Sequence, residues 1–164
     1  MHIRDERPED VQTIYEITQA AFKPMPYSQG DEQDLINALR ADGALAVSLV
    51  AERDAEIIGH IAFSRVTIDN QPGNWFVLGP VSVKPGLQSL GIGSALIREG
   101  IERIKALKAD GCVLLGYPAY YGRFGFAHDP QLTCNSEAHP YFQQLTLRGA
   151  TPKGDVRYHP AFYA

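Results

Sequence analysis

The feature that most constrains this chain is a strand, a glycine-containing turn and an amphipathic helix in immediate succession between residues 81 and 111. The apolar strand stops at Pro85, and the helix begins within Gln88-Ser89-Leu90-Gly91-Ile92-Gly93. The first turn of a helix leaves backbone N–H groups without partners and carries a partial positive charge, so it favours an anion such as a phosphate. Glycines there let a phosphate approach the backbone closely. The segment therefore predicts a site for a nucleotide-type cofactor.

Two common phosphate-binding motifs do not fit this spacing. A Walker P-loop would place Lys and Ser or Thr after its second glycine, whereas Ile92 and Gly93 follow Gly91 here. The dinucleotide-binding fingerprint needs a third small residue, and Leu96 occupies that place. What remains is Gln-x-x-Gly-x-Gly after Val-x-Val. Taken alone, its glycines could also serve only to form a tight turn between strand and helix.

The composition predicts one globular domain over residues 1–164. That length suffices to bury a core, and hydrophobic and charged contents of 45% and 21% are ordinary for such a domain. The net charge of −4 argues against general binding to nucleic acid or to anionic membranes, which favour basic surfaces. No apolar run approaches the length that spans a membrane.

The cysteines and histidines show no pattern typical of a metal site or a disulfide framework. Cys112 and Cys134 lack a metal-ligand spacing, and the histidines include no HExxH pair. The first residues contain no apolar segment of a signal peptide. We therefore expect no metal and a reducing, cytoplasmic setting. Buried apolar packing is favoured for both cysteines over an acetyl-enzyme role.

Hydrophobic periodicity and turn residues predict a mixed α/β order of elements. Within it, Gly79-Pro80 interrupts a long strand, which predicts a bulge or an unpaired edge there. An extended amide-containing ligand such as pantetheine could bind the backbone groups freed in this way, although an ordinary kinked edge strand would read the same. The predicted elements are a strand at 2–4, helices at 8–22 and 31–42, strands at 44–53, 56–69 and 74–83, a helix at 92–110, a strand at 112–117, a short helix at 119–124, and strands at 143–147 and 156–158.

Two segments together resemble a known superfamily. Gln-x-x-Gly-x-Gly after a strand with Val-x-Val is similar to the acetyl-CoA loop of the GNAT (Gcn5-related) N-acetyltransferases. The segment AYYGRFGF at 119–126 is similar to the aromatic-Tyr-x-x-x-Gly-Phe segment that follows the fifth strand in many of these enzymes. The order of elements agrees over about residues 2–126. The segments LGPVSVKP, YYGRFGF and VRYHPAF further resemble the YhbS-like acetyltransferases, which extends the likeness to the whole chain.

The resemblance implies the GNAT acyl-CoA N-acyltransferase fold, an α/β domain with a mixed, mainly antiparallel sheet, splayed fourth and fifth strands, and flanking helices. It implies acetyl-CoA as co-substrate and direct transfer in a ternary complex to a primary amine of a small molecule or peptide. A non-catalytic acyl-CoA-binding module of the same fold is the alternative. The residues implied to bind the cofactor are Val81, Ser82, Val83, Gln88, Ser89, Leu90, Gly91, Ile92, Gly93 and Ser94.

By the same resemblance, Tyr121 is the acid that protonates the sulfur of CoA. A phenol with a pKa near 10 stays protonated at neutral pH and can donate to a thiolate, although packing in the core would also suit this residue. Tyr120 is assigned to packing, because neighbouring residues on a helix point about 100° apart.

The sequence leaves several points open. The general base could be Asp31, Glu32, His60 or a water, while capping of a helix and an ordinary strand histidine are the alternative roles of these side chains. Many members of the superfamily have an Asn near the start of the fourth helix, whereas 116–118 reads Gly-Tyr-Pro here, which puts the contacts of the pantetheine arm in doubt. The amine acceptor is not specified. The terminal VRYHPAFYA is apolar enough to cover a second copy in a homodimer, or its own core.

Overall fold

Eight β-strands and four α-helices follow one another in the computed structural model, which describes all residues from 1 to 164. Short 3₁₀ turns precede the first helix, extend the fourth and end the chain. The elements are β1 (His2–Asp5), α1 (Val11–Phe22), α2 (Glu32–Ala41), β2 (Val47–Arg53), β3 (Glu56–Ile68), β4 (Gln71–Val83), α3 (Ile92–Ala106), β5 (Gly111–Leu115), α4 (Pro118–Tyr121), β6 (Leu132–Cys134), β7 (Phe142–Thr146) and β8 (Gly154–Arg157).

The chain divides into two compact units. Unit 1 comprises Met1–Phe63 and Gly79–Arg103, and unit 2 comprises Ser64–Leu78 and Ile104–Ala164. The long elements β3, β4 and α3 therefore contribute residues to both. A single domain over residues 1–164 stays a prediction.

The sheet is mixed and mainly antiparallel, as expected. Its strands are hydrogen-bonded in the order β1-β2-β3-β4-β5-β7, and β8 pairs with β3 and β6. Parallel pairing joins β4 to β5 and β6 to β8. The β4–β5 pairing covers only Trp75–Val77 against Gly111–Val113, although β5 continues to Leu115. The two strands thus stop pairing at this point, as the expected splay requires.

In unit 1, apolar side chains of α1 and α2 pack against strands β2 and β3. Burying each such side chain contributes about 1.5–3 kcal/mol. The first helical residues of α3 lie close to β3, because a methyl group on Gly59 would lie 3.1 Å from Ile92 and 3.0 Å from Leu96. Further along, a methyl group on Gly100 would lie 2.2 Å from the ring of Phe63. The buried cluster beneath α1 and α2 consists of Ile14, Ile17, Ile36, Val50 and Ile57.

In unit 2, a second core gathers residues of the strands and of the chain terminus. Tyr158 and Phe162 of the terminal segment pack against this core, and their rings meet edge to face at 5.0 Å. Two roles were considered for VRYHPAFYA, covering a second copy or covering its own core. The segment covers the core of its own unit. The buried residues of this core are Val66, Trp75, Val77, Val113, Leu132, Cys134, Phe142 and Val156.

Two tight turns lie at the two ends of β3, and the sequence predicted only one of them. Asp54 and Ala55 both adopt positive φ angles, 53° and 64°, in the predicted turn between β2 and β3. Asp69 and Asn70 do the same, with φ angles of 50° and 62°. This second turn ends β3 at Ile68 and lets β4 begin at Gln71 rather than at residue 74. Paired positive φ angles are typical of two-residue hairpin turns, which Asn and Asp tolerate without glycine.

The end of α3 differs from the prediction, which placed it at Asp110-Gly111. The helix ends at Ala106, and Lys108 adopts the left-handed conformation with φ at 63°. The Lys108 N–H donates to the Lys105 carbonyl at 2.9 Å, and the Ala109 N–H donates to the Ile104 carbonyl at 3.0 Å. This is the Schellman arrangement, with lysine where glycine is usual.

Two expectations near that end are therefore wrong. Leu107 falls inside the helix predicted for 92–110, but it lies past the end of α3 and is 43% exposed. Gly111 does not cap the helix and instead begins β5, where a methyl group would lie 2.3 Å from the Trp75 ring. Its small size serves strand packing rather than a left-handed turn.

The strand β4 continues through Gly79-Pro80, whose peptide bond is cis. The predicted loss of pairing falls slightly earlier, because hydrogen bonding to β5 ends at Val77. The strand β6, with only three residues, was not predicted.

Candidate functional site

The glycine loop, residues 84–91, joins β4 to α3 within unit 1. Its first residue is held by the sheet, since the Lys84 N–H donates to the Ile58 carbonyl at 2.9 Å. The chain then turns through three positive φ angles, 90° at Gly86, 66° at Ser89 and 85° at Gly91. Left-handed backbone of this kind favours glycine. The path of the backbone thus explains Gly86 and Gly91.

The start of α3 presents unpaired backbone N–H groups. The first intrahelical hydrogen bond runs from the Ala95 N–H to the Gly91 carbonyl at 3.0 Å, so the N–H groups of Ile92 and Gly93 precede it. The Ile92 side chain is buried and anchors the helix, whereas Leu90 is 63% exposed. The loop therefore offers an anion its backbone, in the partial positive field of the helix end.

The last residues of β4 lie beside this helix start. A methyl group on Gly59 would lie 3.2 Å from the Ser82 carbonyl oxygen. The Ser82 hydroxyl is buried, 3.4 Å from the Thr18 hydroxyl of α1. Its side chain is thus committed to α1, which leaves the backbone of residues 81–83 as the part that a ligand could use.

Lys84, the first residue of the loop, and Arg103, near the far end of α3, are both paired with acids. Lys84 forms an ion pair with Glu56, and this hydrogen bond holds the pKa of the Glu56 carboxyl below its usual value. Arg103 bonds Glu99 at 3.0 Å and Asp5 at 2.9 Å. The preference for an anion therefore rests on the helix N–H groups more than on these side chains.

The tyrosine segment, residues 117–126, lies in unit 2 and follows β5. Tyr117 has extended backbone and Pro118 begins α4, which suits the fixed φ of proline. The Tyr121 N–H donates to the Tyr117 carbonyl at 3.0 Å. A 3₁₀ turn follows and ends at Gly125, whose φ is 97°. The predicted short helix ended by a glycine is confirmed.

The ring of Tyr121 is held by aromatic neighbours. It meets the ring of Tyr120 at 4.9 Å and that of Phe126 at 6.1 Å, both nearly edge to face. The ring also covers Gly116, where a methyl group would lie 2.4 Å from its Cε2 atom. The guanidinium of Arg123 lies 4.7 Å above the ring of Tyr120. The two tyrosines thus differ in surroundings, and the assignment of the acid to Tyr121 stays a prediction.

A buried glutamine that sequence reasoning missed lies next to this segment. The Gln143 amide nitrogen Nε2 donates to the Gly116 carbonyl at 2.9 Å. The Gly116 N–H donates to the Tyr141 carbonyl at 3.1 Å, so strand β7 and the residue before it hold both polar groups of Gly116. Gln143 is 1% exposed, and its Oε1 atom has no hydrogen-bond partner. The strand FQQLT also contains Gln144 and Thr146, so nothing in the sequence singles out Gln143.

The candidate general bases occupy different environments in unit 1. Asp31 is exposed at the N-terminal end of α2 and its side chain makes no capping hydrogen bond. Glu32 lies in the first turn and accepts a hydrogen bond from the Ser28 hydroxyl at 2.6 Å. His60, by contrast, is fully buried. The capping role considered for Asp31 is therefore not realised by its side chain.

His60, on β3, belongs to a chain of polar groups. This chain links β3, β2 and the residue after β1 to α2. The Nε2 atom of His60 lies 2.8 Å from the Ser48 hydroxyl, which donates to Glu6. Arg40 donates to the same carboxylate at 2.7 and 2.9 Å. A cavity of about 310 Å³ reaches the outer members, Glu6, Arg40 and Ser48. The arrangement ties α2 to the sheet.

Burial lowers the pKa of His60 to about 4, because desolvation disfavours the charged ring more than Glu6 favours it. Burial alone would raise the pKa of Glu6, but hydrogen bonds from Arg40 and Ser48 outweigh it, and that pKa falls below its usual value. At neutral pH the histidine is therefore neutral and the carboxylate charged.

Both cysteines are free and buried. Burial raises the pKa of the Cys112 thiol and that of the Cys134 thiol. Neither is poised as a thiolate nucleophile, which agrees with the packing role favoured for them.

No group of three or more His, Cys, Asp or Glu side chains is arranged to hold a metal ion. No helix is long and apolar enough to cross a bilayer.

Comparison with known proteins gives a consistent result over the whole length. Residues 11–126 match the model of the acetyltransferase (GNAT) family. The chain is 33% identical to the uncharacterised N-acetyltransferase YhbS of Escherichia coli, covering 99% of this chain and 98% of that protein.

Two solved structures are also similar to this chain. One is a GNAT family acetyltransferase from Brucella melitensis in complex with acetyl-CoA, with a TM-score of 0.89, 48% identity, and coverage of 98% and 97%. The other is YhbS from Escherichia coli in complex with CoA, with a TM-score of 0.89, 29% identity, and coverage of 99% and 92%.

Proposed function

Because the chain belongs to the acetyltransferase (GNAT) family, we propose that it moves the acetyl group of acetyl-CoA directly to a primary amine within a ternary complex. The observation that carries this proposal is the start of α3, where unpaired N–H groups follow a glycine loop. Similar proteins were solved with acetyl-CoA and with CoA, which supports the same co-substrate here. The acceptor is a small molecule or a peptide.

The cofactor is held by backbone groups in this proposal. The segment from Gln88 to Ser94 binds the diphosphate, where the helix end favours negative charge. The backbone of residues 81–83 holds the pantetheine arm. A backbone N–H there also polarises the thioester carbonyl as its oxygen becomes negative, and one such donor can contribute roughly 3–4 kcal/mol to the transition state.

The chemical step needs a neutral amine and a proton for the leaving group. The amine nitrogen attacks the thioester carbon, the carbon–sulfur bond breaks, and the Tyr121 hydroxyl gives its proton to the departing thiolate. The amine proton passes to water or to a carboxylate at the start of α2, Asp31 or Glu32. Direct abstraction by His60 is disfavoured, because that ring is fully buried.

We test the acid by replacing Tyr121 with Phe. Loss of the hydroxyl should lower kcat by about 10²- to 10⁴-fold and leave the dissociation constant of CoA unchanged. Calorimetry and the rate of CoA release across a panel of primary amines measure the two quantities. Tyr120→Phe is the matched control and should keep its turnover.

Unchanged turnover in Tyr121→Phe would assign the acid elsewhere. If no amine gave turnover while CoA still bound tightly, the chain would instead be a non-catalytic acyl-CoA-binding module.

We propose that the protein acts in the cytoplasm, because both cysteines are free, as expected in a reducing compartment.

A further inference from the structure

Gly59 is a buried glycine of β3 whose backbone conformation does not require glycine. Its φ angle is not positive, and the residue lies within the strand, opposite Ala51 of β2. A glycine inside a strand weakens it and often marks a place where another segment comes very close. The reason for this glycine therefore lies in the atoms around it.

Two segments of unit 1 meet at the missing side chain. A methyl group on Gly59 would lie 3.0 Å from Leu96 and 3.1 Å from Ile92, both in α3. It would also lie 3.2 Å from the Ser82 carbonyl oxygen, near the end of β4. At these separations the neighbours would have to shift by a few tenths of an ångström. Gly59 thus lies at a junction where the start of α3 and the end of β4 come together on β3.

This junction has little freedom to absorb a larger residue. At Gly100, by contrast, the atoms nearest to an added methyl group all belong to the ring of Phe63. A ring can move by rotation about its own side-chain bonds, whereas the Ser82 carbonyl is part of the strand. The two α3 side chains at the junction are buried and have no free space to enter. A methyl group on Gly59 would therefore push the end of β4 and the start of α3 apart.

We propose that Gly59 is a positioning residue that sets the spacing between the two parts of the cofactor site. The inference rests on the proposed function, in which the start of α3 binds the diphosphate and residues 81–83 hold the pantetheine arm. One CoA molecule has to fit both places at once, so their separation decides how far its two ends reinforce each other. Gly59 acts through these two segments rather than by contact with the cofactor.

The test compares CoA with its two parts, 3′-phospho-ADP and pantetheine, on the Gly59→Ala variant. Each part needs only one of the two segments, whereas CoA needs both at the correct distance. We expect Gly59→Ala to raise the dissociation constant of CoA about tenfold, and those of the two parts less than about twofold. Calorimetry measures CoA, and ligand-detected NMR measures the parts.

Two control variants separate spacing from packing in general. Gly73→Ala adds the same methyl group to β4 in open space and should change none of the three constants. Ile14→Val, in the buried cluster beneath α1 and α2, should lower the melting temperature and leave the constants unchanged. If Gly59→Ala does not fold, Gly59→Ala/Leu96→Val replaces it under the same criteria. That pair keeps the number of buried carbon atoms, and the methyl group still meets the Ser82 carbonyl.

A CoA dissociation constant for Gly59→Ala within about twofold of the unchanged protein would overturn the proposal. So would losses for the two parts that together match the loss for CoA, because each segment would then be damaged by itself. Failure of the proposed function gives a different result, since the unchanged protein would then bind neither CoA nor its parts.

Discussion

The glycine loop and the tyrosine segment, the two regions to which we assign the proposed function, are built in opposite ways. The loop offers backbone N–H groups, and its positive φ angles shape the path of the chain while the Leu90 side chain lies in solvent. The tyrosine segment offers a side chain, whose ring is fixed by Tyr120, Phe126 and the bare backbone of Gly116. The first region should therefore be sensitive to changes of φ, and the second to changes of what surrounds one ring.

The largest expected difference between the two units is in how low pH affects stability. The one buried histidine, His60, lies with the glycine loop in unit 1. Its pKa in the fold, about 4, lies below the value near 6.5 of an unfolded chain. The unfolded state thus binds more protons as the pH falls. The contribution of His60 to the free energy of unfolding is fully present above pH 6.5. As the pH falls toward 4, the free energy of unfolding should drop by up to about 3 kcal/mol.

Urea unfolding at pH 7 and pH 4.5 measures this loss. His60→Gln should flatten the dependence, whereas His128→Gln, in unit 2 beyond the tyrosine segment, should leave it as steep. If the His128 variant flattened it instead, this difference between the units would disappear. Loss of the Glu6 carboxylate adds to the acid effect only below about pH 4.5, since its pKa is lowered as well.

The next largest effect should follow from a change of φ in the loop. Gly91 has φ at 85°, and a methyl group added there would have no atom within 4 Å, so only the backbone conformation resists a larger residue. Gly91→Val should weaken CoA binding about tenfold, because the strain of a β-branched residue there costs about 1–3 kcal/mol. Calorimetry with CoA measures it.

Leu90→Val is the matched control for the loop. It changes an exposed neighbour without forcing a new conformation, and CoA should bind it within about twofold of the unchanged protein. Equal losses in both variants would mean that side chains, not backbone, make the contact.

A smaller effect should come from moving the Tyr121 ring without removing its hydroxyl. Gly116→Ala places a methyl group against that ring, so kcat should fall several-fold to about tenfold while CoA affinity is kept. Gly122→Ala adds the same methyl group into open space and should change neither quantity. A kcat for Gly116→Ala equal to that of the unchanged protein would show that the position of the ring is not critical.

Local patterns predicted the fold well wherever a single residue type decides the structure. The turn at Asp54-Ala55 and the start of α3 were predicted, because each separates two clear periodic patterns. The turn at Asp69-Asn70 was missed because Pro72 and Gly73, residue types that usually interrupt a strand, lie inside β4. The left-handed Lys108 was missed because glycine is usual at that position. The three residues of β6 are too few to show a period.

The candidate site divides along the same line. The glycine loop is contiguous, so a short motif together with the tyrosine segment was enough to suggest it, and its role in binding the cofactor stays a prediction. Gln143 was missed because its contact with Gly116 joins residues 27 positions apart through the pairing of β5 with β7. Such a contact depends on strand register, which no short motif records.

The burial of both cysteine thiols has a practical consequence for assaying the proposed acetyl transfer. A chromogenic disulfide reagent added to the native protein should find neither Cys112 nor Cys134, since both are buried with raised pKa values. The colour that develops during an assay would then come only from the thiol of released CoA, because the protein itself would contribute no signal. The same reagent in denaturant should titrate two equivalents per chain, which makes the protein its own concentration standard.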